Sequence, residues 1–423
     1  MHARSPTAQL PGVPPACPSR IETGLTWDLF CRVIDNHGDL GECWRLSRDL
    51  AHRGHTVRLW VDDGSALSWM APAGAPGVQV LPWNDEVRWP EPAEVVVEAF
   101  GCDLPQDFVA AMRHQGERGA APVWLNLEYL SAEAYVERSH ALPSPQMTGP
   151  GQGLTKWFFY PGFTAATGGL LREPGLIEAR DRFQGQPDQR EAFLRRAIGR
   201  TDWRLRSDTE GQPELLMLLF GYAQPALPAW LSSSMHHLQT LLVTPGHSSA
   251  QVARWLDLDT PPPPGSIVER GHLRLVFLPT LPQPDFDRLL WSCDLNLVRG
   301  EDSAMRALWA GRPFVWQLYV QDEAWHLTKL EAFLGHYLQG APAEVASRIG
   351  TAFRRWNDGT PRSFDWPLSP PDLNLWRDWA TRRCLQWAQA ADLTTRMLEF
   401  VRPRLATHRT GSDPDQPVDT EAR

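Results

Sequence analysis

Residues 27–46 read WDLFCRVIDNHGDLGECWRL, and this stretch decides the fold. The apolar, β-rich run over 25–34 predicts a strand. Trp44, Leu46 and Leu50 fall at helical spacing and predict a helix over 42–53. HTVRLWV at 55–61 predicts a second strand, so the chain opens with strand, loop, helix, strand: a βαβ unit. Its loop is unusual. A dinucleotide site needs glycines at GxGxxG spacing so that backbone amides can reach a pyrophosphate. DNHGDLGE instead sets Asp35 at the strand end and Asp39 where the helix begins. The glycine spacing is wrong and the carboxylates would repel phosphate, which excludes NAD at this loop. Carboxylates at a strand terminus suit a cation, a sugar or general-base chemistry. The plainer alternative for Asp39 is a helix cap.

Outward from that unit the alternation continues. Strands are predicted at 78–83, 94–100, 123–130 and 156–163. The segment 160–205 reads as a connector plus helix. A second alternation follows, with strands at 215–222, 239–245, 273–279, 294–298 and 313–319. Helices are predicted at 227–238, 249–257, 285–293 and 303–310, then at 323–338, 342–357 and 374–402. Two successive βα arrays predict an α/β protein of two doubly wound, Rossmann-like domains, with ligands at the carboxyl ends of the strands. A length of 423 residues fits two cores. The first 24 residues and the tail beyond about 404 read as disordered extensions.

Composition narrows the function. A net charge of −9 disfavours general nucleic-acid binding and suits a cationic partner. No apolar run approaches the ~18 residues of a membrane span. Six cysteines without a CxxC pair read as free thiols in a reducing cytoplasm. Nothing has the spacing of a metal site: LDLD at 256–259 runs into four prolines and reads as a loop.

Two further motifs could carry chemistry. In LNLVRGEDSAMRALWAGRPFVWQLYVQ a strand ends at Val298, RGEDS turns, and a helix starts near Ser303. A helix start with Arg299 and Ser303 beside it favours a diphosphate. The plainer reading has Glu301 or Asp302 capping the helix. In PTLPQPDFDRLL, Gln283 could read an amide-like base edge and Phe286 could stack on the base; otherwise Phe286 is packing.

These stretches, together with FFYPGFTAATGGLLRE and LPQPDFDRLLWSCDLN, resemble the protein-arginine rhamnosyltransferases of bacterial elongation factor P over residues 25–400. The resemblance implies a GT-B fold: two facing Rossmann-like domains around a cleft. It implies an acceptor-binding domain at 25–180, a nucleotide-sugar domain at 181–375 and a helix at 376–404 returning to the first domain. The implied reaction is inverting, metal-independent transfer of L-rhamnose from dTDP-β-L-rhamnose, with no cofactor. The acceptor would be an arginine of elongation factor P, a cytoplasmic partner so activated for ribosomes stalled at polyproline. A GT-B transferase using another nucleotide sugar is the alternative. Asp35, Asp39 and Glu301 are the catalytic residues implied. Tyr222, Gln283, Phe286, Arg299, Asp302, Ser303 and Tyr319 would bind the donor, and Asn36 and Gly38 would lie in the acceptor-side loop. Thr280 departs from the family pattern, which has an aromatic there; the resemblance then implies stacking that is weaker or shifted onto Phe277.

Overall fold

The computed structural model describes residues 24–34, 37–84, 86–236, 238–320, 325–360 and 370–410. The first domain comprises β1 (Thr26–Cys31), α1 (Gly38–His52), β2 (Thr56–Val61), α2 (Leu67–Met70), β3 (Val78–Pro82), β4 (Val95–Ala99) and α3 (Gln106–Glu117). It continues with β5 (Val123–Leu127), α4 (Tyr135–Ser139), β6 (Pro143–Pro145) and β7 (Thr155–Phe159). Its sheet runs β3-β2-β1-β4-β5-β7-β6, parallel except for the β6–β7 pair. β1 and β4 are the central strands, and their continuous apolar burial is what covering by helices on both faces requires.

The second domain begins with α5 (Leu176–Gln184), α6 (Pro187–Ile198), β8 (Leu215–Leu219), α7 (Leu227–Ser234), β9 (Gln239–Val243) and α8 (His247–Trp255). Then come β10 (Ile267–Arg270), β11 (Leu273–Phe277), α9 (Gln283–Ser292), β12 (Leu295–Arg299), α10 (Glu301–Trp309) and β13 (Phe314–Gln317). α11 (Trp325–Tyr337), α12 (Ala343–Asn357), α13 (Pro370–Trp387) and α14 (Leu393–Thr410) complete the described chain. The sheet order is β10-β11-β9-β8-β12-β13. Two facing doubly wound sheets with a cleft between them make the GT-B arrangement.

Two sequence expectations are corrected and two strands are added. The helix read as starting near Ser303 starts at Glu301, because Gly300 adopts φ +70° and lets the chain enter the helix at once. The single helix read over 374–402, and over 376–404 as the returning element, is two. α13 packs Trp376, Trp379 and Cys384 into the second core, whereas α14 packs Leu393, Met397 and Val401 into the first. One straight helix could not serve both. Asp392 ends the connection, accepting from the backbone N–H and hydroxyl of Thr395 and from Arg53. Finally, the short antiparallel edge strands β6 and β10 carried too few residues to show a period. The first 23 residues and those beyond 410 lie outside the described residues.

Candidate active site

The carboxyl ends of both sheets face a cleft of about 520 Å³. Gly38, Gly41, Arg45 and Trp69 line it from the first domain, and Phe286 and Arg299 from the second. Three helices meet beside it, each placing residues four apart, one helical turn, at the domain contact: Gly41 and Arg45 on α1, Gln283 and Asp287 on α9, Asp302 and Arg306 on α10.

Their contacts interlock. A Cβ built on Gly41 would lie 3.2 Å from Gln283 Nε2 and 3.4 Å from Asp302 Oδ2. The glycine thus permits close approach of two domains, not of a phosphate. Gln283 Nε2 donates to the Gly41 carbonyl at 2.9 Å. Asp287 accepts two forks: Arg45 at 3.1 and 3.1 Å, and Arg306 at 3.0 and 2.7 Å. Arg45 also pairs with Asp302 at 3.1 Å and with Glu173 at 3.5 Å, while Arg306 reaches Glu173. Burial pushes the Asp287 and Glu173 carboxyls up, but Arg306 and Arg45 outweigh it and hold both below the usual range.

Beside this lattice lies a group of carboxylates. Asp39 is buried in the first turn of α1, where negative charge suits the helix dipole. It is not the cap: the N-cap position is His37, with no side-chain capping bond. Its Oδ2 accepts the Ile34 backbone N–H at 3.0 Å, and its Oδ1 accepts the Tyr129 hydroxyl at 3.3 Å. Glu301 accepts the Leu130 backbone N–H at 3.0 Å and pairs with Lys329. Glu42 is buried near both. Burial first, then the charges of Glu301, Asp302 and Asp39, push its carboxyl well above the ordinary range against a weaker pull from Lys329. Asp302, mainly through burial, is also raised despite Arg45 and Arg306.

A second region of the cleft, built from the second domain alone, has the opposite character. The Arg299 guanidinium lies 4.9 Å from the Phe220 ring centroid and 4.6 Å from that of Tyr222. Tyr222 meets Tyr319 edge to face at 5.4 Å, and Phe286 meets Phe220 likewise at 5.4 Å. Ser303 lines the cavity in the first turn of α10. Gln283 Oε1 is buried with no hydrogen-bond partner among the described residues. Thr280 is on the lining, but Phe277 is not a substitute for an aromatic there: β11 buries it in the core.

The fold thus collects Gly38, Asp39, Gln283, Phe286, Arg299, Glu301, Asp302 and Ser303 around one cleft, with Tyr222 and Tyr319 behind Arg299. Asp35 and Asn36 lie outside the described residues. Reading loops alone missed Arg45, Glu42, Glu173, Asp287, Arg306, Tyr129 and Lys329. The four-residue spacings on α1, α9 and α10 were the available signal for three of them. Glu173 and Tyr129 had none, since only tertiary contact gives them partners.

Known proteins resemble this chain over most of its length. Residues 27–402 match the family model described as elongation-factor P (EF-P) rhamnosyltransferase EarP. The chain is 43% identical to the protein-arginine rhamnosyltransferase of Pseudomonas aeruginosa, over 89% of this chain and 98% of that one. It is 36% identical to the protein of the same name from Shewanella oneidensis, over 89% and 97%. A solved structure described as the structural basis for EarP-mediated arginine glycosylation of translation elongation factor EF-P superposes with a TM-score of 0.62 at 32% identity, over 90% of this chain and 99% of that chain.

Proposed function

The chain belongs to the family of elongation-factor P rhamnosyltransferases, and from that premise we propose that it transfers L-rhamnose from dTDP-β-L-rhamnose to an arginine of translation elongation factor P. One observation carries the reading: the cleft holds two regions of opposite polarity. Asp39, Glu42 and Glu301 present carboxylates that suit a guanidinium. Arg299 and the N-terminal turn of α10 suit a diphosphate. The unmatched Gln283 Oε1 offers an acceptor for a base N–H, and Phe286 a ring for it to lie against.

The chemistry is a single displacement with inversion. A guanidinium nitrogen attacks the anomeric carbon, the carbon–nitrogen bond forms, and the bond to the diphosphate oxygen breaks. Guanidinium has a pKa above ~12 and a free aspartate near ~3.9, so no useful fraction of the arginine is deprotonated beforehand. The proton passes to Asp39 as the new bond forms and the nitrogen becomes acidic. Asp35 assists in orienting the guanidinium, with Asn36 and Gly38 in the same loop. Charge on the departing dTDP is met by Arg299, the Ser303 hydroxyl and the first amides of α10, with no need of a metal. Asp302 acts at one remove, pairing with Arg45. Tyr222 and Tyr319 flank Arg299 and the nucleotide. This reading makes the protein cytoplasmic and its product a factor activated for ribosomes stalled at polyproline.

The test is the intact mass of elongation factor P after incubation with the enzyme and dTDP-L-rhamnose. The expected result is a gain of one deoxyhexose on an arginine. No gain from a folded enzyme removes the reading. Thr280 in place of an aromatic favours one alternative, a GT-B transferase for another nucleotide sugar. Thermal-shift screening of donors distinguishes it.

A further inference from the structure

The segment after β5 touches both proposed catalytic carboxylates through adjacent residues. The Tyr129 hydroxyl donates to Asp39 Oδ1 at 3.3 Å. The Leu130 backbone N–H donates to Glu301 Oε2 at 3.0 Å. Asp39 belongs to the first domain and Glu301 to the second, so one short loop spans the pair.

That loop is held from several sides. The Glu128 N–H donates to the Phe159 carbonyl at 3.0 Å, and Asn126 Nδ2 donates to Glu128 Oε1 at 2.8 Å. The Tyr129 ring stacks on Phe100 with centroids 4.4 Å apart and planes 15° from parallel. Phe100 itself stands at φ +57°, a left-handed conformation that a bulky residue adopts only when its surroundings compel it. Its N–H donates to the Leu127 carbonyl at 2.6 Å, tying the end of β4 to β5. Strained backbone, stacked ring and pinned neighbours leave the Tyr129 hydroxyl little freedom. The ring remains 37% exposed, so it lies at the accessible edge of the carboxylate group and not in a core.

We infer that Tyr129 is a positioning residue for transfer, fixing the Asp39 carboxylate in the orientation that receives the guanidinium proton while Leu130 fixes Glu301 beside it. The inference rests on the reaction proposed above. Donors on both oxygens restrain a carboxylate more tightly than donors on one oxygen do, and Tyr129 supplies a donor to the oxygen that the Ile34 N–H does not reach. A small misalignment of a general base costs rate without costing affinity.

Tyr129→Phe isolates the hydroxyl, because the ring and its stack on Phe100 remain. The expected result is a fall in kcat of roughly ten- to a hundredfold. KM for elongation factor P, affinity for dTDP and the melting temperature should stay near wild type. A wild-type kcat overturns the inference. So does a loss matched by weaker dTDP binding or a lowered melting temperature, since either means general support of the fold. A wild-type enzyme that adds no deoxyhexose takes the functional reading down as well. Wild-type transfer with an unimpaired Tyr129→Phe enzyme removes the role of Tyr129 alone.

Discussion

Glu42 and Arg45 stand three residues apart on α1, both buried among carboxylates at the domain boundary, where one charge is matched and the other is not. Arg45 is enclosed by Asp287, Asp302 and Glu173, so its charge is matched. Glu42 faces Glu301, Asp302 and Asp39, and is left with excess negative charge that Lys329 only partly offsets. A fold that needed only to join two domains would repeat the first pattern. The second is tolerated where a cation arrives later, and the proposed guanidinium is such a cation. The difference separates the part of the cleft that holds the domains together from the part that does the chemistry.

The same change, aspartate to asparagine, tests both sides. Asp39→Asn should lower kcat by about 10²- to 10⁴-fold, the usual contribution of a general base, while dTDP affinity and the melting temperature hold. Steady-state kinetics with calorimetry measures this, and near-normal turnover would remove Asp39 from the base role. Asp287→Asn should instead destabilise by about 3–5 kcal/mol, because two buried guanidinium groups lose a shared partner. Urea unfolding reads it, and a loss confined to activity would break the comparison. The sign with pH follows from the lowered Asp287 and Glu173 carboxyls. Their stabilisation is complete above the unfolded value of about 4 and is lost as pH falls through the folded values. Wild type should therefore lose this contribution on acidification, and Asp287→Asn should show less of that loss.

Smaller effects sharpen the boundary. Arg299→Ala should weaken dTDP binding by roughly ten- to a hundredfold, measured by titration calorimetry; unchanged affinity would remove Arg299 from the donor wall. Gly41→Ala should cost about 1–3 kcal/mol, since its methyl would press on Gln283 and Asp302 across the domain boundary. Glu42→Gln should stabilise the fold at neutral pH, because burial and neighbouring carboxylates disfavour the charged form of Glu42. The Glu42 carboxyl is raised in the folded state, so its contribution is complete below the unfolded value of about 4.3 and is lost as pH rises through the folded value. Melting temperatures of the variant and wild type should therefore converge near pH 4 and separate near pH 7.5. A variant less stable at neutral pH would mean that Glu42 is matched after all.

Periodicity made both βα arrays legible, because a buried parallel strand leaves a run of apolar residues and its crossover helix a 3.6-residue repeat. The motif loops were legible too: Asp39, Arg299 and Glu301 stood out as charged residues next to strand ends. Boundaries were less so. Gly300 moved a helix start by two residues, and the break between α13 and α14 followed from which core each helix covers.

By itself the sequence determined two doubly wound domains, a cleft at their strand ends and a first loop too acidic for a phosphate, since local hydrophobic pattern and local charge are written along the chain. Which charges are matched and which are left in excess only the tertiary structure decided. Arg45 meets Asp287 across 242 residues and Tyr129 meets Asp39 across 90. Electrostatic energy depends on separation in space and on burial, and neither is a property of position in the chain.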